Sequence, residues 1–238
     1  MNRALSITEL ALKSWYRVPS SFFFSIGLPL SLLLIFPLIL LPVEFFLPGL
    51  LAAFSMYTNV LGISMQNVEL RKSRAMKRLY VTSLTRLEWV VGNYIAQTLL
   101  AFLLTIIFVL AGSLTLQVPL IPHISIVPVI FLGAAMSSSL GMTISNIVRG
   151  ENSIILSNIV VFSMMFLSGA LFPLDLGPPV LRELSNFFPL TYLLDGLRIT
   201  LSGGFESRLG LDLLMMGIFS IAFTIFGSVR IGNKRIEI

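Results

Sequence analysis

The chain has 238 residues with no cysteine; 56% are hydrophobic, 11% are charged, and the formal net charge is +5. An ordinary soluble domain carries roughly 25% charged residues, so this balance excludes a water-soluble fold, and the missing cysteines exclude disulfides, thiolate metal sites and cysteine nucleophiles. The basic residues are confined to short segments between apolar runs, where they read as loop anchors at a membrane surface and not as a nucleic-acid footprint.

The first predicted element, residues 1–19, is a short amphipathic helix. Ser6 and Glu9 form a capping box and Pro19 closes the segment. Ile7, Leu10, Ala11, Trp15 and Val18 fall on one side, with Glu9, Lys13 and Arg17 on the other. Such a helix lies along the membrane surface. No small-residue cleavage site follows an apolar core, so an uncleaved N-terminus is expected.

Long apolar stretches follow: Ser21 to Leu41, Phe45 to Met65, Trp89 to Leu116, His123 to Ile147, Ile154 to Phe172, and Leu211 to Val229. At about 20 residues per crossing these predict six transmembrane helices. They are continuously apolar where a barrel strand would alternate, so the fold class is all-α integral membrane, a single domain over residues 1–238. No internal repeat of the kind common in secondary transporters is visible.

The loops are asymmetric. With the N-terminus inside, one side collects Arg3, Lys13, Arg17, Arg71, Lys72, Arg74, Lys77, Arg78, Arg86, Arg149, Arg230, Lys234 and Arg235, and the other only Arg182, Arg198 and Arg208. Both termini are then expected in the cytoplasm of a cell-membrane protein. The outer side collects Glu44, Asp175, Glu183, Asp195, Glu206 and Asp212, which leaves no ionisable residue clearly inside a span.

The loop over residues 69–88 has Arg71, Arg74 and Arg78 at helical spacing with Leu70, Met76, Leu79 and Tyr80 interspersed, which predicts a short basic helix. It could lie against anionic lipid or dock another protein. His123, in an outer turn after Pro122, has no partners for metal binding or catalysis, and the run from Gly133 to Gly141 reads as close helix packing. Beyond the fifth span, Pro178 and Pro179 suit the first turn of one short helix and Pro189 the start of another, which Gly203 and Gly204 would end. Leu190, Leu193, Leu194, Leu197 and Leu201 form its apolar stripe, and Asp195 and Arg198 can pair. Each piece is too short to cross, so residues 173–204 are expected to dip in and return as a re-entrant hairpin on the outer side.

These residues carry a resemblance. Ser168, Gly169, Phe172 and Pro173, then Pro189, Leu190, Thr191, Tyr192, Asp195 and Arg198, match a pattern typical of the type-2 permeases of ABC exporters. Glu69, Arg78, Leu79, Thr82, Leu84 and Arg86 are similar to the stretch those proteins carry after the second span, although Arg74-Ala75 stands where members have Gly-Thr. The resemblance implies a transmembrane subunit that exports its cargo, with ATP and magnesium bound on a separate nucleotide-binding ATPase subunit. It implies that Glu69, Arg71, Arg74, Lys77, Arg78, Leu79 and Arg86 form the coupling surface. It also implies that two permeases, identical copies or paralogues, enclose a path between their second and fifth spans.

The chain has no phosphate-cradling Gly-x-x-x-x-Gly-Lys-Ser/Thr loop, so it is expected to have no ATPase site of its own. Thr58, Asn59 and Gln66 in the second span and Asn158 in the fifth supply mild polarity for the path, or hydrogen bonds between helices. Short outer loops and a mildly polar path tilt the expected cargo toward a lipophilic drug or lipid. An ion-coupled carrier or channel would need a buried charge; a membrane anchor for an ATPase is the remaining alternative.

Overall fold

The computed structural model describes residues 7–9, 12–13, 23–35, 43–72, 86–116, 122–148, 150–174, 178–203 and 207–232. Among these residues the regular structure is helix, with no strand. A π-helical turn, Phe23–Gly27, runs into α1, Leu28–Ile35; α2 is Val43–Lys72, α3 Arg86–Leu116, α4 Ile126–Ile147 and α5 Asn152–Leu167. Two short helices, α6 (Pro179–Ser185) and α7 (Pro189–Leu201), precede α8, Ser207–Gly232. Helix is what lipid requires of such sequences, because each backbone N–H and C=O must find its partner within the segment.

Four helical stretches are long and apolar enough to cross a membrane: Phe45–Glu69, Val90–Leu114, Ile126–Ile147 and Ser207–Gly227. The fifth predicted span is shorter than expected. α5 stops at Leu167 instead of Phe172 because Ser168 closes the last turn onto the Met164 carbonyl and Gly169 adopts φ +77°, the left-handed conformation that ends helices. Its 16 residues cover about 24 Å. Of the first predicted span, the π-helical turn and α1 are described, and residues 36–42 lie outside the described set.

The helices alternate in direction, which gives the bundle two ends. At one end α2 begins, α4 begins and α8 begins beside α7; at the other α2 ends at Lys72 and α5 begins by Glu151. We call these the hairpin end and the basic end. α2 is the centre of the bundle: 89% of its spanning window is buried, against 44% for α3 and 17% for α8. α4, 78% buried, lies against it through the small residues that the sequence marks for close packing. A Cβ at Gly141 would stand 2.7 Å from the Val60 carbonyl oxygen, and Gly133 to Ser145 are all buried. Close backbone approach by small residues is how helices associate where lipid removes the hydrophobic drive between them. The outer faces of α3 and α8 remain apolar and exposed, as Leu99, Leu103, Ile106 and Leu110 and Leu214, Ile218, Ile221 and Ile225 show.

Of the predicted surface helix, Ile7 to Glu9 and Leu12 to Lys13 are described and helical. Ile7 and Thr8 are buried, the Thr8 hydroxyl donates to the Gly92 carbonyl at 3.0 Å, and Glu9 pairs with Lys13 at 2.5 Å on the exposed side. Ser6 and the rest of that element lie outside the described residues.

Candidate functional site

α2 runs unbroken through the bundle, and each of its ends meets a set of residues that the sequence singles out. At the basic end it continues past the predicted Met65 to Lys72, carrying Glu69 exposed on its last turns. Lys72 Nζ reaches Glu151 Oε1 in the α4–α5 turn at 2.6 Å. That hydrogen bond and the paired charge hold the Glu151 carboxyl below its usual range and raise the Lys72 ammonium, to which Glu69 adds a smaller attraction. Arg71 sits in the last turn of α2 and Arg86 opens α3, so the two helices bracket the basic segment. Arg74, Lys77, Arg78 and Leu79 lie outside the described residues.

The middle of α2 is a polar seam inside an apolar bundle. Ser64 and Ser157 hydroxyls meet at 2.7 Å, tying α2 to α5, and Asn67 Nδ2 donates to Ser145 Oγ at 2.7 Å, tying α2 to α4. Thr58 turns back onto the Phe54 carbonyl at 2.8 Å and Asn158 onto the Ile154 carbonyl at 3.0 Å. Asn59 is fully buried with neither amide atom hydrogen-bonded, and Gln66 Nε2 is likewise unmatched among the described residues. The structure therefore brings Thr58, Asn59 and Gln66 into the interior of this one chain, while Asn158 is half-buried on α5. Beside them Gln97 of α3 packs its amide against Gly62, where a Cβ would come within 3.1 Å of Nε2. Sequence reading missed Gln97; its signal was a polar residue on the buried side of an otherwise apolar helix.

At the hairpin end the motif residues account for a tight turn. Phe188 is extended, Pro189 takes the first helical position of α7, and the next turn reaches back: Thr191 Oγ1 donates to the Ser185 carbonyl at 2.5 Å and the Tyr192 hydroxyl to the Asn186 carbonyl at 2.7 Å. α7 is then driven inward by Leu190, Leu193, Leu194, Leu197 and Leu201, all buried. Gly169 supplies a left-handed φ and a carbonyl that accepts from Arg198 Nη2 at 3.2 Å. The same guanidinium lies 4.8 Å above the Phe45 ring at the start of α2. Phe172 is exposed and stacks on Phe166 at 6.0 Å, and Pro173 is half-buried in the turn that follows. The turn is held against α2 at Gly49, where a Cβ would fall 2.0 Å from the Ala170 carbonyl oxygen.

Asp195 and Arg198 do pair, at 3.7 Å, but the shorter bond of Asp195 is to Arg208 of α8 at 2.9 Å. Asp212 corrects the expectation that the spans hold no ionisable group. It is fully buried within the Ser207–Gly227 stretch. The predicted span begins at Leu211, so Asp212 is its second residue and counts with the outer loop; α8 starts at Ser207, which sets Asp212 about a turn and a half from the helix's first residue. His123 bonds Ser125 through Nδ1 at 2.8 Å and its backbone N–H donates to the Thr200 carbonyl, a structural role at the start of α4. Among the described residues no group of three or more His, Asp or Glu side chains gathers to hold a metal ion.

Two comparisons with known proteins bear on this arrangement. Residues 42–229 match the family described as ABC-2 family transporter protein, a range that takes in α2 through most of α8. Nodulation protein J of Rhizobium leguminosarum bv. viciae is 34% identical to the chain over 77 residues, 32% of this chain and 30% of that protein's length.

Proposed function

The chain belongs to the ABC-2 transporter family, and we propose that it is the transmembrane subunit of an exporter driven by ATP hydrolysed on a separate subunit. ATP and magnesium belong to that partner, and the basic segment after α2, from Glu69 through Arg71, Arg74, Lys77, Arg78 and Leu79 to Arg86, is its docking surface in the cytoplasm. Both termini lie on that side, six spans cross the cell membrane, and the α6–α7 hairpin is re-entrant from outside. A second copy or a paralogue completes the path, and a lipophilic drug or lipid is the cargo.

The observation that carries this reading is the continuity of α2. One 30-residue helix joins the basic segment to the hairpin, touching the Ala170 backbone through Gly49 at one end and the α4–α5 turn through Lys72 at the other. A push delivered at the docking surface reaches the far side as rigid-body displacement of a packed helix, the kind of switch that close-packed interiors permit. Supporting a second copy, α5 leaves Ile155, Ile159, Phe162 and Phe166 exposed along one face.

Co-purification tests the assignment. Tagged protein from its native membrane should bring down an ATPase, whose hydrolysis in proteoliposomes rises with a lipophilic compound and falls when Arg74, Lys77 and Arg78 are replaced by Glu. Conductance across the same bilayers without ATP overturns the reading in favour of a channel, and an ATPase that binds but whose hydrolysis no compound alters reduces the chain to an anchor.

A further inference from the structure

Four charged side chains meet between the hairpin and α8, and they are unevenly matched. Asp195 of α7 accepts from Arg208 Nη2 at 2.9 Å and lies 3.7 Å from Arg198 Nη1. Asp212 is fully buried, and neither of its carboxylate oxygens has a hydrogen-bond partner among the described residues. One aspartate thus bonds two guanidinium groups, while among the described residues its neighbour bonds none and meets Arg208 only as a nearby charge. A carboxyl group left so within a spanning helix is costly, and intramembrane ionisable residues mark moving or functional parts.

Arg208 stands four residues before Asp212 in α8, the spacing at which helical side chains share a face. Its side chain is 60% exposed, so it can leave Asp195 freely, whereas it reaches the buried Asp212 carboxylate only as the α7–α8 seam parts, which ties the exchange to opening. Asp195 and Asp212 are near enough to act on one another electrostatically, with Tyr192 of α7 the further titratable group in range. Arg198 stays where it is, held by the Gly169 carbonyl and the Phe45 ring. Asp195 therefore keeps a cation when Arg208 leaves it, and Asp212 gains one.

We propose that Arg208 is a partner-swapping latch: bound to Asp195 it clasps the hairpin to α8, and transferred to Asp212 it lets the hairpin go. Clasped and released forms differ by one ion pair between helices exchanged for one within a helix. The hairpin end can then open while the Arg198 contacts still tether α7 to α2. This holds for any transported cargo and does not depend on which subunit supplies the work.

The natural absence of cysteine makes the test direct. Spin labels at Leu184→Cys in α6 and Leu214→Cys in α8, both exposed positions, report the hairpin-to-α8 distance by double electron–electron resonance in lipid nanodiscs. The doubly labelled chain with its own charged residues should give a short and a long distance. Asp212→Asn removes the second acceptor and should move the ratio toward the short distance by roughly fivefold, the scale of a part-exposed ion pair; Asp195→Asn should move it as far toward the long one. A distribution unchanged by Asp212→Asn overturns the proposal, because a fixed Asp195–Arg208 bridge makes Asp212 a bystander. Should Asp212→Asn fail to give monodisperse protein, Asp212→Ser decides: a shift toward the short distance supports the latch, and an unchanged distribution defeats it.

Discussion

Among the described glycines, Gly49 has the least room for a side chain. Alanine there places a methyl 2.0 Å from a backbone oxygen, and neither α2 nor the turn at Ala170 can yield without separating two helices. Gly49→Ala should therefore lower the thermal midpoint of purified protein or abolish its accumulation in membranes. Gly217→Ala, at an α8 position with nothing within 4 Å, should be neutral or gain up to about 1 kcal/mol of helix propensity. Equal behaviour of the two variants in a thermal-shift assay would contradict the packing described. Neither difference was legible in the sequence, where both are glycines in apolar runs; only the partner across the contact distinguishes them. Pro189, Thr191 and Tyr192 were legible, because the bonds they make are local and close a turn within a few residues.

At the scale of the element, α2 and α5 are joined at the basic end by an exposed ion pair whose contribution follows pH with a definite sign. The Lys72 hydrogen bond and charge hold Glu151 below its ordinary 4.5, and the same bond holds Lys72 above its ordinary 10.5. A lowered carboxyl stabilises above its unfolded value and loses the effect as pH falls through the folded one; a raised ammonium does the reverse at the alkaline side. The pair is thus fully present from about pH 4.5 to 10.5. The difference in thermal midpoint between the wild type and Glu151→Gln should be constant across the neutral range and close as the medium is acidified below that window. High salt should shrink it throughout. Helix existence was readable from apolar length at this scale, but helix ends were not: α5 ends early at a left-handed glycine, and α8 starts early on a polar turn, so that Asp212, read as an outer-side residue, lies well inside a helix and buried.

For the whole molecule, burial within the chain orders the spans, from α2 at the inside to α3 and α8 with apolar faces turned outward. Leu103 and Ile106 lie on the exposed side of α3, so Leu103→Lys or Ile106→Lys should cost membrane insertion about 2.5 to 3.5 kcal/mol, as lysine does near a helix centre. A glycosylation-tagged insertion assay measures that as a loss of the correctly spanning form. Overall hydropathy announces a bundle of this kind without saying which helix is central, because in lipid both the inside and the outside are apolar; the seam of Asn59, Ser64, Gln66 and Asn67 was the available hint. Packed round by α3, α4, α5 and α7, α2 is sheathed by its own neighbours, and the proposed coupling would run through a helix that is mostly screened from the bilayer. A thinner bilayer or an inserted anaesthetic should therefore perturb that sheath before it perturbs the helix within.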